Sequence, residues 1–167
     1  MAEAAQVLVR LAGEADLPAL EWEGQYRRFR RLYRHAYSEA SKGRRLLLVA
    51  EVDGLVVGQV LVQFTGLQQA APSATRIAYM YAFRVRPEYR NMGIGTQLVS
   101  EAESLLRARN MRRAQIAVGK ENHGARRLYE RLGYTIIGED SGEWSFVDDG
   151  GNIQHLHEPS FLLERAL

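Results

Sequence analysis

The stretch Arg84-Val85-Arg86-Pro87-Glu88-Tyr89-Arg90-Asn91-Met92-Gly93-Ile94-Gly95-Thr96 constrains this chain more than any other. An apolar, aromatic run from Ile77 to Val85 leads into it. Pro87 lacks the backbone donor that strand pairing needs, so the strand must stop there. After the glycines, Ile94, Leu98, Val99, Ala102, Leu105 and Leu106 recur at helical spacing. The order is therefore strand, tight loop, helix. Such a loop offers backbone N–H groups at a helix start, and Gly93 and Gly95 place no side chain in the way of a ligand. Anions, phosphate above all, fit a helix start of this kind. Two phosphate motifs are excluded. Leu98 stands where a dinucleotide loop needs its third glycine, and no Gly-Lys-Ser/Thr tripeptide exists for a P-loop.

The rest of the chain reads as alternating short elements. Gln6 to Leu11 is a first strand, and Asp16 with Pro18 is expected to cap and open a helix. From Trp22 to Ser41, Tyr26, Phe29, Leu32, Tyr33, Ala36 and Tyr37 recur at spacings of three and four, which predicts an amphipathic helix. Leu46 to Val52 and Val56 to Phe64 are strands joined by the hairpin signal Asp53-Gly54. Thr65 to Thr75 is expected to be a loop carrying Gly66 and Pro72. Arg113 to Val118 is a strand parallel to Ile77–Val85 if the intervening helix is a crossover. Tyr134 to Ile137 starts another strand. Trp144 to Val147 and Ile153 to Leu163 are expected to close the chain as a hairpin across Asp148-Asp149-Gly150-Gly151.

With 167 residues the chain is expected to form one domain with a real core. It has no run of 18 apolar residues and no basic segment followed by a short apolar one, so neither a membrane span nor a signal peptide is expected. Cysteine is absent, which removes disulfides, thiolate metal sites and a cysteine acyl-enzyme together, and suits the cytoplasm. Net charge is only +2, but its distribution is uneven. Eight basic residues against Glu39 lie between Tyr26 and Arg45; seven acids against Arg165 lie between Gly138 and Leu167. Arg27, Arg28, Arg30, Arg31 and Arg34 fall mostly opposite the aromatic stripe, so a solvated helix face is expected rather than a nucleic-acid site.

Two motifs together point to a family. Arg90-Asn91-Met92-Gly93-Ile94-Gly95 resembles the pyrophosphate loop, Arg/Gln-x-x-Gly-x-Gly/Ala, of the GNAT superfamily of N-acetyltransferases. Downstream, the sequence from Asn122 to Tyr134 is similar at every anchor position to the second signature, Asn-x-x-Ala-x-x-Leu-Tyr-x-x-Leu-Gly-Phe/Tyr. The opening Arg10-x-Ala12-x-x-x-Asp16 also resembles the family's. The resemblance implies a mixed α/β fold: a twisted, mainly antiparallel sheet with a splayed parallel strand pair at its centre and helices on both faces. It further implies acetyl-CoA as acyl donor and an amine acceptor, either a small molecule or a protein. A homodimer is left open.

The same resemblance assigns roles. Arg90, Asn91, Met92, Gly93, Ile94, Gly95 and Thr96 are expected to hold the cofactor's pyrophosphate. The backbone of Phe83, Arg84 and Val85 is expected to pair with the pantetheine arm as a strand would. Asn122 is expected to bond that arm while capping its helix, and Arg126 or Arg127 to meet the outer phosphate. Tyr129 occupies the position of the family's general acid; a phenol near ~10 is close to a thiol near ~8.5. Trp22, Glu23 and Tyr26 are expected near the acceptor.

A carboxylate base is missing from Tyr79-Met80-Tyr81-Ala82 and from Gln115-Ile116-Ala117-Val118, where relatives carry one. Glu23, Glu143, His155 and His157 are weak substitutes. His155-x-His157 would share a strand face, yet no third ligand is apparent, so no metal is expected. The missing base leaves a non-catalytic acyl-CoA-binding module as the first rival. A nucleic-acid-binding protein is the second.

Overall fold

The computed structural model describes residues 6–65 and 76–167. The loop expected at Thr65 to Thr75 falls almost wholly outside them. Seven strands form one sheet in the order β1-β2-β3-β4-β5-β9-β6, and β7 and β8 pair separately. The ranges are β1 Val7–Leu11, β2 Arg45–Val52, β3 Leu55–Gln63, β4 Ile77–Val85, β5 Arg113–Gly119, β6 Thr135–Asp140, β7 Glu143–Val147, β8 Ile153–His157 and β9 Ser160–Ala166. All pairings are antiparallel except β4 with β5. This is the mainly antiparallel sheet with one parallel pair that the sequence predicts.

Among the described residues, three α-helices flank the sheet: α1 Arg30–Ser41, α2 Ile94–Ala108 and α3 His123–Arg131. The apolar run of β2 is buried on both faces, and the alternation divides it. Leu46, Leu48, Ala50 and Val52 pack in the core that holds Leu98, Val99 and Leu106 of α2 and Tyr129 of α3. Leu47 and Val49 pack with Phe29, Tyr33 and Ala36 at α1, and with Phe146 of the small sheet. Thus α2 and α3 cover one face and α1 the other.

Three local expectations need correction. The segment expected to be helical from Trp22 becomes an α-helix only at Arg30. Before it lie a 3-10 helix at Glu14–Glu21 and a second at Arg27–Phe29. Trp22, Glu23 and Gly24 all have positive φ (47°, 56° and 103°), which no right-handed helix admits. Asp16 does not stand at the cap position of its helix. It lies three residues past Gly13, accepts that residue's N–H at 2.7 Å and binds Arg10 at 2.7 Å. The stretch expected as one strand from Ile153 to Leu163 is two. Pro159, without an N–H, separates β8 from β9; β9 then inserts between β5 and β6 instead of completing the hairpin.

One buried ion network ties α2, the end of α3 and β9 together. The Glu103 carboxylate accepts Tyr134 Oη–H at 2.9 Å and Arg165 Nη1–H at 2.8 and 3.0 Å. Burial, and then the neighbouring Glu103 charge, push the Tyr134 pKa up, so the phenol remains the donor. Tyr134→Phe should therefore cost about 1.5–3 kcal/mol in urea unfolding, the usual worth of a hydrogen bond to a buried charge. A loss under about 0.5 kcal/mol would mean that the carboxylate does not need this donor.

Candidate active site

The parallel pair β4–β5 is short. Its register runs from Ile77↔Arg113 to Met80↔Ile116 and ends there. On its other side β4 stays paired with β3 as far as Gly58↔Val85, and β5 stays paired with β9 as far as Gly119↔Ser160. Beyond Met80 the two strands therefore part while each keeps its outer neighbour. The register on β3 slips between Gln59 and Leu61, with an extra residue on β4, and Ala82 there has φ +48°. A bulge of this kind bends its strand and adds twist. Among the described residues, the β5-facing edge of β4 has no strand partner over residues 81–85, which include Phe83, Arg84 and Val85.

The loop after β4 closes onto the same end. Pro87–Tyr89 form a single 3-10 turn, and Arg90 Nε donates to Val85 O at 2.9 Å, tying the loop to the strand. Asn91 and Gly93 have positive φ of 61° and 79°, and α2 begins at Ile94. Gln97 N–H is the first to find a helical acceptor, Gly93 O, at 3.1 Å. Among the described residues, the N–H groups of Asn91, Met92, Gly93, Ile94, Gly95 and Thr96 have no protein acceptor. These are the orphan donors of a helix start, gathered in one exposed turn.

The two glycines serve different ends. A Cβ on Gly93 would meet nothing within 4 Å, so the space above it is open, but its φ favours glycine. A Cβ on Gly95 would stand 3.0 Å from the Phe83 ring and 3.4 Å from Leu128. Gly95 therefore lets α2 approach β4 and α3, and its small size is a packing requirement.

Tyr129 is buried on α3, its ring centroid 5.9 Å from Phe83 and 6.4 Å from Tyr134. Among the described residues its hydroxyl makes no hydrogen bond. Burial pushes its pKa well up, with a smaller contribution from Tyr79. Asn122 caps α3, its Oδ1 accepting Ala125 N–H at 3.2 Å. Arg126 is engaged by Glu130 at 2.7 Å and lies over the Phe161 ring; Arg127 is exposed.

The opposite face of β4 is aromatic and cationic. Tyr79 and Tyr81 stack with centroids 6.0 Å apart, and burial pushes the Tyr79 pKa up to about 12. Arg45 Nη1 donates to Tyr81 Oη at 2.6 Å. Past the bulge, Arg84 Nη1 donates to Tyr33 Oη at 2.9 Å, and its guanidinium lies 4.1 Å from the Tyr26 centroid. Next, Arg86 clasps Glu23 with two bonds of 2.8 and 3.0 Å and lies over Trp22. That ion pair holds the Glu23 carboxyl below its usual pKa, so Glu23 is a poor base. Glu143, His155 and His157 belong to the small sheet, where Glu143 faces His157 across the strands. No group of three metal-binding side chains occurs among the described residues.

Sequence reasoning missed Gln59, fully buried on β3 opposite Arg84. The signal was present: it is the one polar side chain within the apolar run Val56 to Val62. Of Arg27, Arg28, Arg30, Arg31 and Arg34, Arg27 and Arg30 end on Asp149 and Glu21, and Arg28 lies over Phe29. Gly93→Val should cost about 1–2 kcal/mol in thermal or urea unfolding, because a β-branched side chain must take a left-handed backbone. A melting curve unchanged from wild type would show that the turn relaxes at no cost.

The sequence matches the family model described as Acetyltransferase (GNAT) family over residues 13–134. The fold is similar to that of several solved structures. An N-acetyltransferase from Staphylococcus aureus Mu50 superposes with a TM-score of 0.75 at 16% identity, covering 96% of this chain and 98% of that one. The ribosomal-protein-S18-alanine N-acetyltransferase from Escherichia coli gives 0.71 at 19% identity, covering 96% and 94%. PaiA N-acetyltransferase from Thermoplasma acidophilum, solved in complex with coenzyme A, gives 0.68 at 17% identity, covering 97% and 99%. These likenesses carry the fold, and the family match spans most of the chain with both motifs inside it. With its parted central strands and its open helix start, the chain belongs to the GNAT acetyltransferase family, whose acyl donor is acetyl-CoA.

Proposed function

We propose that this chain works as one domain that moves the acetyl group of acetyl-CoA onto a primary amine, with both substrates bound at once. The observation that carries the reading is the parting of β4 from β5 after Met80, directly before the unpaired N–H groups of residues 91–96. Those N–H groups are suited to a pyrophosphate, and the space above Gly93 is open to one. The unpaired edge at Phe83, Arg84 and Val85 suits the amide-bearing pantetheine arm, and a backbone N–H there would stabilise the oxyanion. The amide nitrogen of Asn122, unengaged among the described residues, would add a hydrogen bond to that arm. When bound, acetyl-CoA supplies a thioester whose carbonyl carbon accepts the amine and whose sulfur leaves. The absence of cysteine removes a thiol acyl-enzyme and supports direct transfer.

Tyr129 holds its proton at Oη throughout the working pH range, because burial raises its pKa. It therefore offers a hydrogen bond to the departing sulfur. Full proton transfer to a thiolate, whose conjugate thiol titrates near ~8.5, is uphill from so buried a phenol. The amine's proton leaves through water or the substrate itself, since neither parted strand carries a carboxylate.

A second reading, a non-catalytic acyl-CoA-binding module, draws on that missing carboxylate. Amine-dependent release of coenzyme A separates the two readings.

Tyr129→Phe keeps the ring between Phe83 and Tyr134 and removes only the hydroxyl. Turnover should fall roughly 10²–10³-fold, the worth of one positioned donor to developing charge, with little change in acetyl-CoA affinity. The alkaline limb of the pH–rate profile should stay in place, since the phenol does not titrate there. Wild-type turnover with saturating acetyl-CoA would remove Tyr129 from the chemistry.

A further inference from the structure

We propose that the acceptor amine also carries a carboxylate, bound by Arg84. This rests on the acetyl transfer proposed above and names its substrate class.

Half-buried arginines in this protein end on carboxylates. Arg10, Arg30, Arg86, Arg126 and Arg165 each do so, at 2.7–2.8 Å. Two half-buried arginines, Arg45 and Arg84, end on tyrosine hydroxyls instead. A cation drawn partly out of water needs an opposite charge, and a neutral phenol supplies none. The residues outside the described part contain a single acid, Glu3, so the chain itself offers Arg84 almost no carboxylate.

The surroundings of Arg84 form a donor site. Its guanidinium lies over the Tyr26 ring at 4.1 Å and near Phe29 at 5.6 Å, which fixes its plane; one N–H is spent on Tyr33 Oη. Its remaining N–H groups have no acceptor among the described residues. Across the strands lies Gln59, fully buried, with neither amide atom in a full hydrogen bond. It faces the Tyr33 hydroxyl closely enough to hold that phenol's pKa down somewhat against the burial that raises it. A buried amide left this way marks a polar site awaiting a partner. Arg84 is half-buried and carries the spare donors, with the buried Tyr33 and Gln59 behind it, and a guanidinium held in this way fits a carboxylate.

The location suits the acceptor. Phe83 turns to the α2–α3 face, against Gly95 and Tyr129, while the next residue, Arg84, turns to the α1 face. An amine entering the parted strands from the α1 side passes Arg84. The acidic C-terminal third, which by net charge favours a cationic acceptor, is largely spent internally: Asp149 on Arg27, Glu139 on Lys120, Glu164 on Arg113, and Asp148 within its own turn.

The test measures coenzyme A release from the full chain with acetyl-CoA and matched acceptors: free amino acids, their carboxamides, and dipeptides with free or amidated C-termini. Acids should exceed their carboxamides in kcat/KM by about tenfold or more. Free amino acids and dipeptides distinguish the two sources of the same carboxylate. In Arg84→Gln the acid-to-carboxamide ratio should collapse toward one, through KM for the acid, and Arg84→Lys should restore part of it. Should Arg84→Gln fail to fold by its melting curve, the wild-type ratio and Arg84→Lys decide. Carboxamides or simple amines accepted as well as acids, or a ratio that survives Arg84→Gln, would overturn the proposal and leave acetyl transfer standing. Release with no acceptor at all in the panel would remove both.

Discussion

Everything about the candidate site depends on β4 keeping β3 while losing β5. Main-chain hydrogen bonds hold β4 against β3 along nearly its whole length, but against β5 for only four residue pairs. The extra residue at Ala82, held at positive φ, bends β4 where that contact ends. A bare strand edge inside a sheet is costly unless something pairs with it. The loop from Arg90 and the start of α2 sit at the same end, so the edge of β4 that leaves β5 and the unmet backbone donors of residues 91–96 lie together. An acyl donor with an amide-bearing arm and a pyrophosphate matches both.

The bulge also sorts the side chains. Phe83 and Tyr129 stand on the face covered by α2 and α3; Arg84, with Tyr26 and Tyr33, stands on the face covered by α1. The first face is apolar and keeps the Tyr129 phenol protonated. The second is aromatic and positively charged, and its charge at Arg84 meets no carboxylate among the described residues. On the proposed reading, donor and acceptor meet the strand from its opposite sides.

Much of this was legible in the sequence because local chemistry dictates it. Pro87 ends the strand, Gly93 needs its backbone freedom, and Asn122 and Gly133 bracket α3, so the motif-bearing elements fall where pattern reading puts them. What failed were places where tertiary context overrides periodicity. The aromatic spacing from Tyr26 onward is real, yet Trp22, Glu23 and Gly24 turn left-handed before it, and the helix starts late. Pro159 was passed over inside an otherwise strand-like run, so β9 was not separated from β8. The reach of Arg84 to Tyr33, and of Arg86 to Glu23, spans more than 50 residues and leaves no local signal. Net charge likewise counts acids without saying which of them are already paired. No helix among the described residues is long and apolar enough to cross a membrane.

Amide hydrogen exchange with and without coenzyme A tests the central claim most directly. If the parted strand and the helix start hold the cofactor, slowing should concentrate at the amides of residues 91–96, which lack acceptors among the described residues, and at those amides of residues 83–85 that face away from β3. Tight binding that leaves these amides exchanging as in the free protein would contradict the account.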